Sequence, residues 1–120
     1  MHEISLVRNI FRTLEEEFDE EALNRLERID LKVGMLSNVE PVLMQNAFEA
    51  VTEDEIRFRN VVLHINVVPI KIRCELCDEV SEVANYTFKC SNGHPTKNII
   101  QGEELLIERV HFYDESLKEP

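Results

Sequence analysis

Two stretches of the chain carry apolar residues at helical spacing. The first predicts a helix over residues 4–23, with an apolar stripe formed by Val7, Ile10, Phe11, Leu14 and Phe18. The second begins at Pro41, because a proline at the first helical position lacks only an N–H that has no helical partner. It ends in the charged residues 53–55. Each stretch therefore predicts an amphipathic helix that buries one face.

Other stretches alternate apolar and polar residues, which is the pattern of a strand with one face in the core. They lie at residues 28–33, which Gly34 terminates, and at residues 61–68. The chain resumes extended at residues 70–73 after Pro69, and the apolar run that opens residues 105–112 predicts a last strand that is partly buried on both faces. The order along the chain is helix, strand, helix, strand, cysteine-containing segment, strand. This order predicts an α+β fold in which two helices pack on one face of a small mixed or antiparallel sheet.

Composition and charge narrow the class of protein. The chain has 120 residues, 43% of them hydrophobic, which suffices for one compact domain with a core. Its net charge of −11 comes from 13 basic and 24 acidic residues, so we expect no nucleic-acid partner. No apolar run approaches the roughly 20 residues of a membrane helix. The start also lacks the basic and apolar segments of a signal peptide, so we expect no association with a membrane.

Three cysteines are an odd number and do not form a disulfide framework, which favours reduced thiols in a cytoplasmic protein. Cys74 and Cys77 form a CxxC motif, and Cys90 lies in a second short turn. Two such turns joined by a hairpin build a zinc ribbon, because zinc takes four tetrahedral ligands. The alternative is a redox-active or degenerate CxxC motif with an unrelated cysteine nearby.

The fourth zinc ligand is the uncertain part of this motif. The position three residues after Cys90 is Gly93 rather than a cysteine, and His94 follows it. A centre of three cysteines and one histidine is an ordinary structural zinc site, so the predicted ligands are Cys74, Cys77, Cys90 and His94.

Four protein ligands leave no open position on zinc for water or substrate, so we expect the metal to be structural. Metal binding would also supply folding free energy to a segment with few apolar residues. We therefore predict an α/β domain at residues 1–69 plus 100–120 and an inserted zinc-ribbon-like module at residues 70–99. His64 and His111 are interpreted as partly exposed strand residues, with His111 as the reserve ligand.

The first three residues, Met1-His2-Glu3, offer a second metal site. The Met1 amine, the His2 amide and imidazole and the Glu3 amide are four nitrogens that can close on one ion. Square-planar nitrogen coordination suits Ni(II) or Cu(II) better than Zn(II). The amides must lose protons, so binding should strengthen as pH rises. The alternative is an ordinary chain start with no metal.

Several segments together resemble the HypA/HybF family of hydrogenase nickel-incorporation chaperones. The resemblance covers nearly the whole chain, and its segments are residues 1–5, 33–40, 48–49 and 101–105, with the Cys74-x-x-Cys77 motif and the knuckle at Cys90. The order and spacing of these segments are specific, although no single segment is.

The resemblance implies a nickel site at the Met1 amine, the His2 amide and imidazole, and the Glu3 amide. It further implies that the Glu3 side chain and Glu40 lie near that site as additional groups. For Glu40 the alternative is a carboxylate that caps or begins the helix at Pro41, where acidic residues are favoured.

The resemblance also carries the zinc ligands over to Cys74, Cys77 and Cys90. The family usually has a fourth cysteine where this chain has Gly93, and His94 matches a position where some relatives carry histidine. The function implied is delivery of Ni(II), as cargo, to the large subunit of [NiFe]-hydrogenase, with a GTPase partner. Some relatives serve urease, and family members form monomers and dimers, so we expect a monomer or a homodimer.

Two other classes of protein compete with a nickel metallochaperone. One is a zinc-stabilised adaptor that binds proteins and handles no nickel. The other is an enzyme, but the chain has no nucleophile–base arrangement, no P-loop and no dinucleotide fingerprint. We therefore expect that the protein is not an enzyme.

Overall fold

Helices and strands make up most of the described chain, which in this computed structural model is residues 2–114, with His2 described by its backbone only. The helices are α1 (His2–Glu17), α2 (Glu20–Leu23) and α3 (Pro41–Glu53), with a 3₁₀ turn at Ile56–Phe58. The strands are β1 (Leu26–Gly34), β2 (Val62–Val68), β3 (Lys71–Arg73), β4 (Val80–Glu82), β5 (Ile99–Gln101) and β6 (Leu105–Phe112). Within this part of the chain, no helix has the length and apolar character needed to span a membrane.

The single helix predicted over residues 4–23 is wrong, because the structure has two helices there. α1 ends at Glu17, and Asp19 is the N-cap of α2 with extended backbone angles (φ −81°, ψ 173°). The Asp19 side chain accepts a hydrogen bond from the Ala22 N–H at 2.9 Å, and such a cap satisfies an otherwise unpaired helical amide. Leu23 is still buried, so the apolar spacing continues past the break and conceals it.

The chain divides into two compact units. The first comprises the described parts of residues 1–31, 39–65 and 107–120, and the second comprises residues 32–38 and 66–106. In the first unit α1 packs against α3, and the ring of Phe11 stacks on Phe48 at 5.6 Å and on Phe58 at 4.6 Å. The predicted buried stripe is confirmed at Val7, Ile10, Phe11 and Leu14.

Among the described residues, the strands form two three-stranded sheets. In one, β1 lies between β2 and β6; in the other, β3 lies between β4 and β5 and pairs antiparallel with both. β1, β2, β3 and β6 confirm the four predicted strands, whereas β4 and β5 are too short to show alternation. Helices and small sheets together confirm the predicted α+β class.

The second unit has a small apolar core of its own, formed by Ile70, Ile72 and Val83 with Leu36, Phe88 and Ile99 packed against it. Next to it two backbone segments approach closely. A Cβ atom at Gly34 would lie 2.0 Å from the Gly102 carbonyl oxygen, which also accepts a hydrogen bond from the Leu36 N–H at 2.7 Å. Glycine is therefore required at position 34 by this contact.

Candidate metal centre

Four metal-ligand side chains meet in the second unit. The Sγ atoms of Cys74, Cys77 and Cys90 and a ring nitrogen of His94 all lie within 4.8 Å of one another. Cys74 and Cys90 are buried, whereas Cys77 is exposed. No other group of three or more His, Cys, Asp or Glu side chains within the described part of the chain meets the same distance. The structure therefore brings together the four residues that spacing predicts as ligands.

Each half of the centre is built by a tight turn. Cys74 follows β3, and its carbonyl oxygen accepts a hydrogen bond from the Asp78 N–H at 2.8 Å. In the second turn, the Gly93 N–H donates to the Cys90 carbonyl oxygen at 2.9 Å, and the Cys90 N–H donates to that of His94 at 3.0 Å. The backbone thus fixes the second turn from both ends, with Cys90 and His94 as neighbours.

Gly93 shapes the turn that presents His94. Its φ of +85° lies in the left-handed region, where an L side chain is strained. A Cβ atom there would meet nothing within 4 Å, so conformation rather than space favours glycine. The turn leaves His94 Nδ1 3.5 Å from Cys90 Sγ and 3.7 Å from Cys74 Sγ. The histidine therefore occupies the fourth corner of the cluster.

The spacing of the donor atoms fits a tetrahedral zinc ion. With Zn–S and Zn–N bonds of about 2.3 and 2.05 Å, a regular tetrahedron has S–S edges of roughly 3.8 Å and S–N edges of roughly 3.6 Å. The Sγ atoms of Cys77 and Cys90 are 3.8 Å apart, and the two sulfur–nitrogen distances at His94 are 3.5 and 3.7 Å. A donor set of three sulfurs and one imidazole is also one that zinc takes in structural sites.

Hydrogen bonds and desolvation act differently on the first two thiols. The pKa of the Cys74 thiol is lowered, chiefly because the Cys77 N–H donates to its sulfur; burial opposes this, while the Leu76 N–H supports it. The Glu79 N–H likewise acts to lower the pKa of Cys77, but desolvation and the neighbouring thiols outweigh it and raise that pKa. Of these two sulfurs, Cys74 is therefore the one whose anion the chain itself stabilises better.

Polar contacts tie the two turns to each other. The Asn92 side-chain amide donates to Cys77 Sγ at 3.7 Å, and the Ser91 hydroxyl donates to Glu79 Oε1. Asn92 and Ser91 belong to the second turn, while Cys77 and Glu79 belong to the first. Sequence reasoning does not identify these supporting residues; their only signal is that they lie beside the cysteines.

The residues predicted for nickel lie in the first unit as far as they are described. Met1 and the side chain of His2 lie outside the described residues. Glu3 is in the first turn of α1 and is buried. Glu40 is exposed and occupies the N-cap position of α3, but its side chain makes no capping hydrogen bond. Glu40 therefore has the helix-capping position that was its alternative role, but its carboxylate does not cap the helix.

His111 has partners other than the cysteine cluster. Its Nε2 lies 2.9 Å from Asp30 Oδ2 and 2.9 Å from Arg28 Nη2, and Arg28 Nε donates to Asp30 Oδ1 at 2.9 Å. Burial would raise the pKa of Asp30, but the hydrogen bonds from His111 and Arg28 outweigh it and lower that pKa. His111 therefore belongs to a polar cluster of the first unit, and the structure does not place it as a reserve ligand.

The protein is therefore a small α+β protein with a candidate metal centre. Three thiols and one imidazole lie close enough together in it to bind one metal ion. The family model described as "Hydrogenase/urease nickel incorporation, metallochaperone, hypA" matches residues 1–112. The chain belongs to this HypA family, which confirms the resemblance drawn from the sequence.

Individual relatives agree with the family match. The "Hydrogenase maturation factor HypA" of Desulfitobacterium hafniense (strain DSM 10664 / DCB-2) is 35% identical over 111 residues, covering 92% of this chain and 96% of the relative. A solution structure of HypA protein superposes with a TM-score of 0.67 at 26% identity, covering 94% of this chain and 97% of that one. The solution structure of the Ni metallochaperone HypA from Helicobacter pylori gives a TM-score of 0.64 at 23% identity, with 94% and 98% covered, and supports the fold.

Proposed function

We propose that this protein is a nickel metallochaperone that binds Ni(II) as cargo at its N-terminus and delivers it during maturation of [NiFe]-hydrogenase or urease. The observation that carries the proposal is the family match, which runs over residues 1–112 and so includes the N-terminal motif. The relative that is 35% identical is named as a hydrogenase maturation factor. The protein then acts as a carrier rather than as an enzyme.

The proposed nickel ligands are the Met1 amine, the His2 amide and imidazole, and the Glu3 amide. α1 begins at His2, and the first N–H groups of a helix have no helical partner. These amides can therefore lose their protons to nickel without breaking a helical hydrogen bond. The carboxylate of Glu40, which makes no capping bond, is proposed as an additional group around the ion.

Zinc is proposed at the second centre, where Cys74, Cys77, Cys90 and His94 would hold it. Three of the six donor–donor distances support this assignment, because they match the edges of a zinc tetrahedron. All four positions on the ion would be filled by protein, so zinc would supply folding energy rather than chemistry. We propose residues 70–99 as the zinc-binding module, inserted in a nickel-binding domain of residues 1–69 plus 100–120.

A maturation factor acts together with the proteins it serves. We infer that the partners are a GTPase of nickel insertion and the large subunit of [NiFe]-hydrogenase, and that they meet in the cytoplasm. A net charge of −11 supports docking on basic surfaces of such partners. An N-terminal nickel site would let a partner reach the ion without unfolding the carrier.

A nickel titration of the untagged protein with its native Met1 tests the proposal. Calorimetry and absorbance should give one tightly bound nickel per chain with the spectrum of square-planar nitrogen coordination. The variant His2→Ala and a form acetylated on the Met1 amine should both lose this binding, since each removes a nitrogen ligand. His64→Ala, which changes an exposed histidine on β2, is the matched control and should bind as the wild type does.

Nickel binding that persists in both N-terminal variants would reject the proposed site. The absence of tight nickel binding in all four proteins would instead favour a zinc-stabilised adaptor. The zinc assignment has its own test, because Cys74→Ser should release zinc and lower the melting temperature. Unchanged zinc content and melting in that variant would contradict the assignment.

A further inference from the structure

A shallow groove lies between the start of α1 and the helix α3, within the first unit. Its lining residues are Glu3, Ile4, Leu43, Asn46, Ala47 and Ala50, and its volume is about 200 Å³. Sites that enclose small molecules usually measure roughly 300–1,000 Å³. The groove therefore fits side chains that project from another protein better than it fits a separate small ligand.

The α3 wall of the groove has the spacing of a helix-packing face. Leu43, Ala47 and Ala50 follow each other at i, i+4 and i+7, so they share one side of the helix. Leu43 is 46% exposed, and its neighbour Val42 is 69% exposed. Exposed aliphatic side chains that lie together mark contact surfaces more often than isolated ones do. A groove between two packed helices is also the shape that accepts the ridge of a third.

The charges at the groove favour a basic occupant. Glu3 lines the groove, is 8% exposed, and takes part in none of the ion pairs between described residues. On α3, Glu49 and Glu53 are exposed. Because the Glu3 side chain lines the groove, a basic group that enters there would gain a charge-assisted hydrogen bond to its carboxylate. The groove thus combines an apolar floor with one acidic lining residue and an acidic flank formed by Glu49 and Glu53 on α3.

We propose that this groove binds an amphipathic helix of a partner protein. The aliphatic face of that helix would pack along α3, and its basic residues would lie beside Glu3 and the acidic flank. Helices that dock in grooves use anchors at i, i+3, i+4 and i+7, which matches the α3 wall. Glu3 directly follows the proposed nickel ligand His2, so the docked helix lies next to the cargo. The purpose of the contact, transfer of nickel, rests on the proposed function; the contact itself does not.

A synthetic 18-residue helix of leucine and lysine, with leucine at i, i+3, i+4 and i+7, is the probe. Isotope-labelled protein without nickel should bind it with shifts confined to the amides of Ile4, Leu43, Asn46 and Ala50 and their neighbours. Ala50 is exposed, so Ala50→Trp fills the groove from its edge without entering the core. This variant should bind the peptide at least tenfold more weakly. Ala84→Trp, at an exposed position in the second unit, is the matched control and should bind normally.

Three results would overturn the proposal: shifts away from the groove, equal binding of a scrambled or leucine–glutamate peptide, or unchanged binding by Ala50→Trp. Self-association of the wild type that Ala50→Trp abolishes would also overturn it, because the occupant would then be a second copy of the chain.

A nickel titration of the same proteins separates this proposal from the proposed function. Ala50→Trp should keep the wild-type nickel stoichiometry, and His2→Ala should keep the peptide. If the wild type binds peptide but no nickel, the nickel proposal fails while docking stands. If it binds nickel but no peptide, the docking proposal fails while the carrier function stands.

Discussion

Replacement of His94 by alanine should weaken zinc binding while the three cysteines stay in place as ligands. The Nδ1 atom lies 3.5 and 3.7 Å from the sulfurs of Cys90 and Cys74, so His94 occupies one corner of the four-donor cluster. The backbone carbonyl of residue 94 accepts a hydrogen bond from the Cys90 N–H at 3.0 Å, and alanine retains that bond. The substitution therefore removes a ligand while it leaves the turn in place.

The size of the effect follows from the number of donors. Structural zinc sites contribute about 10–16 kcal/mol at neutral pH, so one of four comparable ligands accounts for about 2.5–4 kcal/mol. At about 1.4 kcal/mol for each factor of ten, this is roughly a 60- to 700-fold loss of affinity. Water can take the vacated corner, and His94 is only partly buried, so we expect a loss of about 100-fold, at the lower end.

Competition with a chromophoric chelator measures the zinc affinity of each variant. His94→Cys should restore most of the affinity, since it returns a fourth donor to the same turn, and His111→Ala should match the wild type. An affinity of His94→Ala within threefold of the wild type would refute the reasoning. Loss of zinc in His111→Ala as well would show that the polar cluster, and not the tetrahedron, controls the metal.

Four further changes test the fold. Gly34→Ala should lower the free energy of unfolding, measured in urea, by about 2–4 kcal/mol, because its Cβ would meet the Gly102 carbonyl at 2.0 Å. Gly93→Ala should show a smaller loss of about 1–2 kcal/mol, because only the positive φ is unfavourable there. Phe11→Ala should cost about 3–5 kcal/mol by the same measurement, since the ring stacks on two others, and a loss below 1 kcal/mol would contradict its central place. Asp30→Asn should cost about 1–2 kcal/mol at pH 7. Because the folded-state pKa of Asp30 is lowered, the stabilisation is complete above the unfolded value of about 3.9 and is lost as pH falls through the folded value; a difference that is the same at pH 7 and pH 3 would contradict this.

The sequence predicts well the features that depend on local spacing. The four donors of the cluster lie in pairs in two short turns, so the chemistry of a tetrahedral site can be predicted from the residues between Cys74 and His94 without knowing the fold. The stripe that contains Phe11 is predictable for the same reason, since helical periodicity reports which face is buried. The helix break at Asp19 also depends on local residues. It is not predicted because the apolar spacing of a helix continues through Asp19 to Leu23 and outweighs the single capping residue.

Features that depend on distant parts of the chain are not predictable in this way. His111 and Asp30 are 81 residues apart, and each taken alone is a polar residue on a strand. Only strand order brings them together, since β1 lies beside β6. In the folded chain, Asp30 lies 2.9 Å from the imidazole of His111. This contact explains why His111 is not a zinc ligand, although the sequence alone leaves that role open.

Gly93 shows how a departure from a family pattern can be physically coherent. A cysteine at this position would need a left-handed backbone, which is strained for cysteine and most other residues that carry a side chain. With glycine there, the turn closes through its own hydrogen bonds and presents the next side chain, His94, to the sulfurs. The glycine at position 93 and the use of His94 are thus two parts of one arrangement. Gly93→Cys should therefore not add a ligand while His94 remains, and zinc affinity should stay the same or fall because of the backbone strain. A rise in zinc affinity, measured by the same chelator competition, would show that the turn can rearrange to use both side chains.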